Sequence, residues 1–169
     1  SRRAVEHLLS WVDPQKDELS LFSFDKDLRQ EVAFTHDPER IRAGLLRIDA
    51  MGLTSLYDAI SKTARALADR PSPRRAVVVL TDGTDTSSQL TPSQVSTLAS
   101  AIDVPVYVVA VVLPIDNPDA NGHPSDENDV PLTVGTIREL AAWTGGELFY
   151  ASTPSDTSKV ARQIVRELR

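Results

Sequence analysis

The residues best suited to chemistry lie in one short run, Thr81-Asp82-Gly83-Thr84-Asp85-Thr86-Ser87-Ser88, within a chain of 169 residues. The run follows directly on Ala76-Val77-Val78-Val79-Leu80, which is apolar at every position. Asp82 therefore stands at the carboxyl edge of a predicted strand, where a carboxylate can face a cleft, and Gly83 lets the backbone turn without a Cβ clash. Carboxylate and hydroxyl oxygens suit a hard cation such as Mg2+ or Mn2+, which takes octahedral oxygen ligation and keeps several waters. Thr54, in Gly52-Leu53-Thr54-Ser55, offers another hydroxyl from the loop before a predicted helix. Turn and cap chemistry account for the same letters. Asp-Gly is a common turn, and Ser55 with Asp58 fits a Ser-x-x-Asp capping box.

Other constellations are weaker. Asn117, Asp119, Asn121 and Gly122 fall at positions 1, 3, 5 and 6 of a calcium-loop pattern, but position 12 is Asn128 instead of a bidentate glutamate. The segment reads more simply as an acidic, solvated insertion, of the kind that can carry partner contacts. His7, His36 and His123 are scattered, and neither a G-x-S-x-G elbow nor a glycine-rich phosphate loop is present. Asp82 and Asp85 could pair for Mg2+-dependent hydrolysis or phosphoryl transfer, yet no nucleophile or base is placed beside them. The expectation is that the chain is not an enzyme.

The elements that must position these residues alternate between helical and strand periods. Val5, Leu8, Leu9 and Val12 recur at helical spacing, so residues 4–12 predict a helix. Residues 18–24 and 28–34 predict two strands joined by Asp25-Lys26-Asp27, too short for a crossover and hence an antiparallel hairpin. Asp37-Pro38 opens a helix, and Leu56, Ala59, Ile60, Thr63, Ala64 and Leu67 mark one face of the next. Residues 76–80 and 104–113 are continuous apolar runs, as parallel strands covered on both faces require. Thr91-Pro92-Ser93-Gln94 is a capping box, and Thr144-Gly145-Gly146 stops a helix through Ile137, Leu140 and Ala141. A polar loop spans about residues 114–131. A short strand at 147–152 precedes a last helix opened by Thr153-Pro154. Trp11 and Trp143 lie on or beside apolar stripes, so packing is expected of both. The order α-β-β-α-α-β-α-β-α-β-α predicts an α/β domain with a doubly wound, mostly parallel sheet and one antiparallel edge hairpin. In such sheets ligands bind outside the carboxyl ends of the parallel strands, which is where both polar loops fall.

Composition narrows the partners. A net charge of −6 argues against nucleic acid. No run approaches the roughly 18 apolar residues of a membrane span, so no membrane insertion is expected of this segment. Without cysteine, disulfides and thiolate sites are excluded together, which leaves the compartment undecided.

The stretches AVVVLTDGTDTSS, GLTSLYDAI and IRELAAWTGGELFYA, in that context and element order, together resemble a von Willebrand factor type A domain of bacterial type, a Rossmann-like fold, over nearly the whole chain. The resemblance implies a metal-ion-dependent adhesion site at the rim. Thr54 corresponds to the second-loop threonine and Asp82 to the third-loop aspartate, with Gly52 shaping the second loop and Gly83, Thr84 and Asp85 the third. It implies a protein-binding module whose Mg2+ or Mn2+ is completed by an acidic side chain of the partner, and exported relatives place it outside the cytoplasm. The alternative function is a structural or assembly module that binds without metal. One departure stands out. The family's first, central strand and its Asp-x-Ser-x-Ser loop have no counterpart in residues 1–169, so the single domain reads as N-terminally incomplete. The strand is expected from an upstream segment or by donation from a neighbouring chain, and metal occupancy in this chain is expected to be weak or nil.

Overall fold

The computed structural model describes residues 2–48, 55–72, 74–81, 85–101, 103–111 and 132–168. Among them the elements follow the predicted order: α1 (Arg2–Leu9), β1 (Leu19–Phe24), β2 (Leu28–Thr35), α2 (Pro38–Leu45), α3 (Leu56–Ala68), β3 (Val77–Thr81), α4 (Pro92–Ala101), β4 (Val106–Val111), α5 (Leu132–Trp143), β5 (Leu148–Ala151) and α6 (Pro154–Glu167).

The local chemistry explains most boundaries. Asp37 caps α2 by accepting from the Glu39 amide at 2.9 Å, ahead of Pro38 at the first position. Thr91 and Gln94 bond reciprocally before α4, and Thr153 with Asp156 forms a full capping box on α6. The Asp156 carboxyl is held below its usual range, chiefly by hydrogen bonds from Thr153 and Ser152. At the other end of α5, the Gly146 amide bonds the Ala141 carbonyl and the Gly145 amide that of Ala142, with Gly145 at φ +83°. That pair of bonds is a Schellman stop.

Two sequence expectations fail here. α1 ends at Leu9 rather than Val12: the last bonds tighten to Trp11 N–H on Leu8 and Val12 N–H on Leu9, and Pro14 pushes Asp13 away from helical backbone. Trp11 and Trp143 are 40% and 57% exposed, so neither is core. Trp11 lies beyond the end of its helix and Trp143 is the last residue of α5, so neither apolar stripe runs on to cover it. The Arg162 guanidinium sits 5.7 Å from the Trp11 ring centroid instead.

β1 and β2 form the antiparallel hairpin, and β3, β4 and β5 a parallel sheet in that order, with Val77 opposite Val106 and Val108 opposite Leu148. No ladder joins hairpin to parallel sheet among the described residues. They are held together through helices: α3 packs on β1, β2 and β3, while α1 packs on both α2 and α6. Arg70 near the end of α3 grips Glu18 bidentately at 2.6–3.1 Å and stacks over Phe34, fixing the hairpin to that helix.

The parallel sheet carries apolar residues on both faces, as its continuous runs predict. Val77, Val79, Val106, Val108 and Leu148 bury against Leu56, Ile60, Val95, Ala99 and Leu140 of α3, α4 and α5. Tyr107, Val109, Phe149 and Ala151 face the other way, onto Ile164 of α6. Each fully buried Val, Leu or Ile contributes about 1.5–3 kcal/mol. A third cluster, Leu9, Val32, Ile41 and Leu45, seals α1 and α2 against the hairpin.

Burial, reinforced by the Glu167 carboxylate, pushes the Tyr107 phenol from 10.0 up to about 12. A phenol whose folded pKa is raised contributes stability that is intact below 10 and is lost as pH climbs towards 12. Urea unfolding across that range should show stability falling, and Tyr107→Phe should flatten the fall.

Candidate functional site at the carboxyl rim of the sheet

Three segments meet where β1 and β3 end: the hairpin turn at 25–27, the start of α3, and residues 85–90 after β3. The first contact is backbone to backbone, the Ser55 N–H donating to the Asp25 carbonyl at 2.9 Å. In the turn, the Asp25 carboxylate accepts from the Asp27 amide at 2.8 Å and from Arg29 at 3.0 Å. Those bonds, the Asp27 amide first, hold its carboxyl below the usual range.

The start of α3 corrects the expectation of a Ser55–Asp58 box. Ser55 occupies the N-cap but its side chain makes no cap hydrogen bond. The orphan amides are satisfied from another part of the chain. Asp85 Oδ1 accepts from the Leu56 N–H at 2.7 Å, and Ser88 Oγ accepts from Tyr57 and Asp58 at 3.0 and 3.2 Å. Asp85 also accepts from the Ser88 hydroxyl at 2.5 Å and the Ser88 amide at 3.3 Å. In the reverse direction Asp58 accepts from the Gln89 and Leu90 amides at 3.0–3.2 Å. Ser55 Oγ lies 2.7 Å from Ser87 Oγ. Each segment thus caps the other.

The opposite end of α3 is capped by the residue leading into the same strand. Arg75 Nη1 donates to the Leu67 and Ala68 carbonyls at 3.3 and 3.0 Å. An anion at the N-terminus and a cation at the C-terminus both complement the helix dipole. The two flanks of β3 therefore clamp α3 at both ends.

This geometry decides what the described rim can do. Both Asp85 oxygens are engaged by N–H and O–H donors, so Asp85 has a structural task and is not a spare carboxylate. Asp58 is engaged likewise. Among the described residues no group of three or more His, Cys, Asp or Glu could hold a metal ion. Gly52, Thr54, Asp82, Gly83 and Thr84 lie outside the described residues, as does the 117–128 segment. Carboxylate and hydroxyl oxygens, the groups that Asp82 and Thr54 carry, suit a hard cation that keeps most of its waters. His7 is elsewhere, 3.0 Å from Ser158 across α1 and α6, and His36 faces the Asp17 carbonyl.

Sequence reasoning put Ser87 and Ser88 in the rim run but missed that they meet the start of α3, and it missed Asp25 as a rim residue. The hydroxyl run Thr86-Ser87-Ser88 was the available signal for the first two, since such residues cap helices as readily as they bind ions.

Residues 1–84 match the family model of the von Willebrand factor type A domain. No curated protein matches the chain. Among solved structures, an aerotolerance-related membrane protein from Bacteroides fragilis is similar at 20% identity and a TM-score of 0.72, covering 98% of this chain and 86% of that one. The conserved hypothetical protein BatB from Bacteroides thetaiotaomicron is similar at 20% identity and 0.68, covering 98% and 85%. A von Willebrand factor type A protein from Catenulispora acidiphila gives 13% identity and 0.70, with 97% and 36% covered. At these identities the likeness is one of fold.

Proposed function

The chain is a von Willebrand factor type A domain, and we propose that it is a protein-binding module whose partner contact is made through a divalent cation at the carboxyl rim of the sheet. Domains of this family are generally interaction or adhesion modules. In the proposed reading Thr54 contributes a hydroxyl and Asp82 a carboxylate to Mg2+ or Mn2+, and an acidic side chain of the partner takes an open position. The carrying observation is the mutual capping between residues 55–58, which follow Thr54 in the chain, and residues 85–90, which begin three positions after Asp82. With two protein ligands the cation binds weakly until the partner adds its own.

Paramagnetic broadening of amide signals by Mn2+ tests this, because it detects weak binding. Saturable broadening confined to the neighbours of Thr54 and Asp82, and absent in Asp82→Ala, is the expected result. Uniform or no broadening in the unsubstituted chain would leave metal-independent assembly as the better reading. A Mg2+-dependent hydrolase is less favoured, since its second carboxylate, Asp85, is engaged on α3.

We further propose a location outside the cytoplasm. The similar Bacteroides fragilis structure is described as a membrane protein. No helix among the described residues is long and apolar enough to cross a membrane. Fractionation of the native host, with the chain recovered in the cytoplasm, would count against it.

A further inference from the structure

We infer that Asp85 and Ser88 are positioning residues of the rim: by capping α3 from the loop after β3, they set where the loop before that helix stands. The inference rests on the rim site proposed above, but its structural half can be read without a cation.

The geometry is specific. A helix opening usually takes its cap from the residue directly before it, which leaves the preceding loop free to choose its own path. Here the local residue, Ser55, makes no side-chain cap bond. The first three amides of α3 are instead held by two side chains about thirty residues on, Asp85 to Leu56 at 2.7 Å and Ser88 to Tyr57 and Asp58 at 3.0 and 3.2 Å. Asp58 returns the grip on Gln89 and Leu90, so the clamp closes from both sides. Ser55, further fixed by its N–H on Asp25 and its hydroxyl beside Ser87, is 5% exposed. Thr54 is its chain neighbour, and Asp82 precedes Asp85 by three positions. Any contact that needs both loops at once therefore depends on bonds that neither Thr54 nor Asp82 makes.

Asparagine separates this role from direct ligation. Its Oδ1 caps helix amides about as well as aspartate, yet it carries no charge for a cation. Backbone amide exchange at residues 51–57 and Mn2+ broadening should be measured on the unsubstituted chain, Asp85→Ala and Asp85→Asn. The expectation is faster exchange in Asp85→Ala only, with Mn2+ affinity down about tenfold there and within about threefold of the parent in Asp85→Asn. Equal loss of binding in both variants would make Asp85 a ligand and overturn the inference, as would unchanged exchange in Asp85→Ala. If the unsubstituted chain binds no Mn2+, the rim-site proposal fails, while exchange still decides the clamp. Should Asp85→Ala not fold, Ser88→Ala removes the Tyr57 and Asp58 acceptor and the hydroxyl bond to Asp85 while leaving Asp85 on the Leu56 amide, and the same acceleration is expected at the Tyr57 and Asp58 amides. Its absence would overturn the inference.

Discussion

Gly146→Ala should destabilise the fold by about 3 kcal/mol or more, the largest loss expected from any one-methyl change described. A Cβ at this position would stand 2.1 Å from the Val106 carbonyl oxygen and 2.5 Å from its carbon. Those are backbone atoms of a central strand, so no side chain can swing aside. Around the clash the structure is already tied down. The Thr144 hydroxyl accepts from the Val106 amide at 3.0 Å and donates to Ala141 at 2.8 Å, and the Gly146 amide closes the Schellman stop on Ala141. Relief would require β4 to part from the end of α5. Gly145→Ala is the control. Its Cβ would meet open space, and the cost is the left-handed backbone alone, about 1–2 kcal/mol. Chemical denaturation of both variants gives the comparison, and Gly145→Ala the costlier of the two would refute the close-approach account.

That pair of glycines shows how far the sequence could be read. Thr144-Gly145-Gly146 after an apolar helical stripe announces a helix stop, because glycine at C′ is a local requirement. The need for a second glycine is not local: it arises from β4, some forty residues earlier in the chain. The same division holds elsewhere. Element order, the hairpin, the Asp37 and Thr153 caps and the two-faced parallel strands follow from period and from nearest neighbours, and all are found. At the end of α4, the Asp103 and Val104 amides bond the Ser100 and Ala99 carbonyls with Asp103 at φ 52°. That is the glycine-type stop made by an aspartate, and its letter gave no warning. The α3 start misled for a related reason. Ser55 and Asp58 have the spacing of a capping box, and nothing in residues 55–58 says that Asp85 and Ser88 will reach those amides first. The hydroxyl-rich run after β3 could be seen as a rim. Which of its oxygens face a ligand and which face α3 is a matter of tertiary distance.

The double clamp on α3 makes the second large prediction. Asp85→Ala should cost about 2–3 kcal/mol, since it removes a charge-assisted bond to the Leu56 amide and leaves the half-buried start of the helix short of an acceptor. For a chain of this size that is a fall in Tm of about 5–10 °C. Asp85→Asn keeps the Oδ1 acceptor and loses the favourable charge at the positive end of the dipole and the long Oδ2 bond from the Ser88 amide at 3.3 Å, so its cost should be about 1 kcal/mol. At the far end Arg75→Ala gives up two carbonyl contacts and the complementary cation, for about 1–2 kcal/mol. The helix between them has 13 residues, so the two ends are about 20 Å apart and should not interact directly. Their losses should then add to within about 0.5 kcal/mol in the double variant. A coupling well above that would mean that β3 and α3 part as a unit once either end is released. Additivity would mean two independent fastenings, with the rim end free to loosen while the helix stays on the sheet. Only the second outcome allows Asp85 to set the rim loops without also deciding whether the domain is folded.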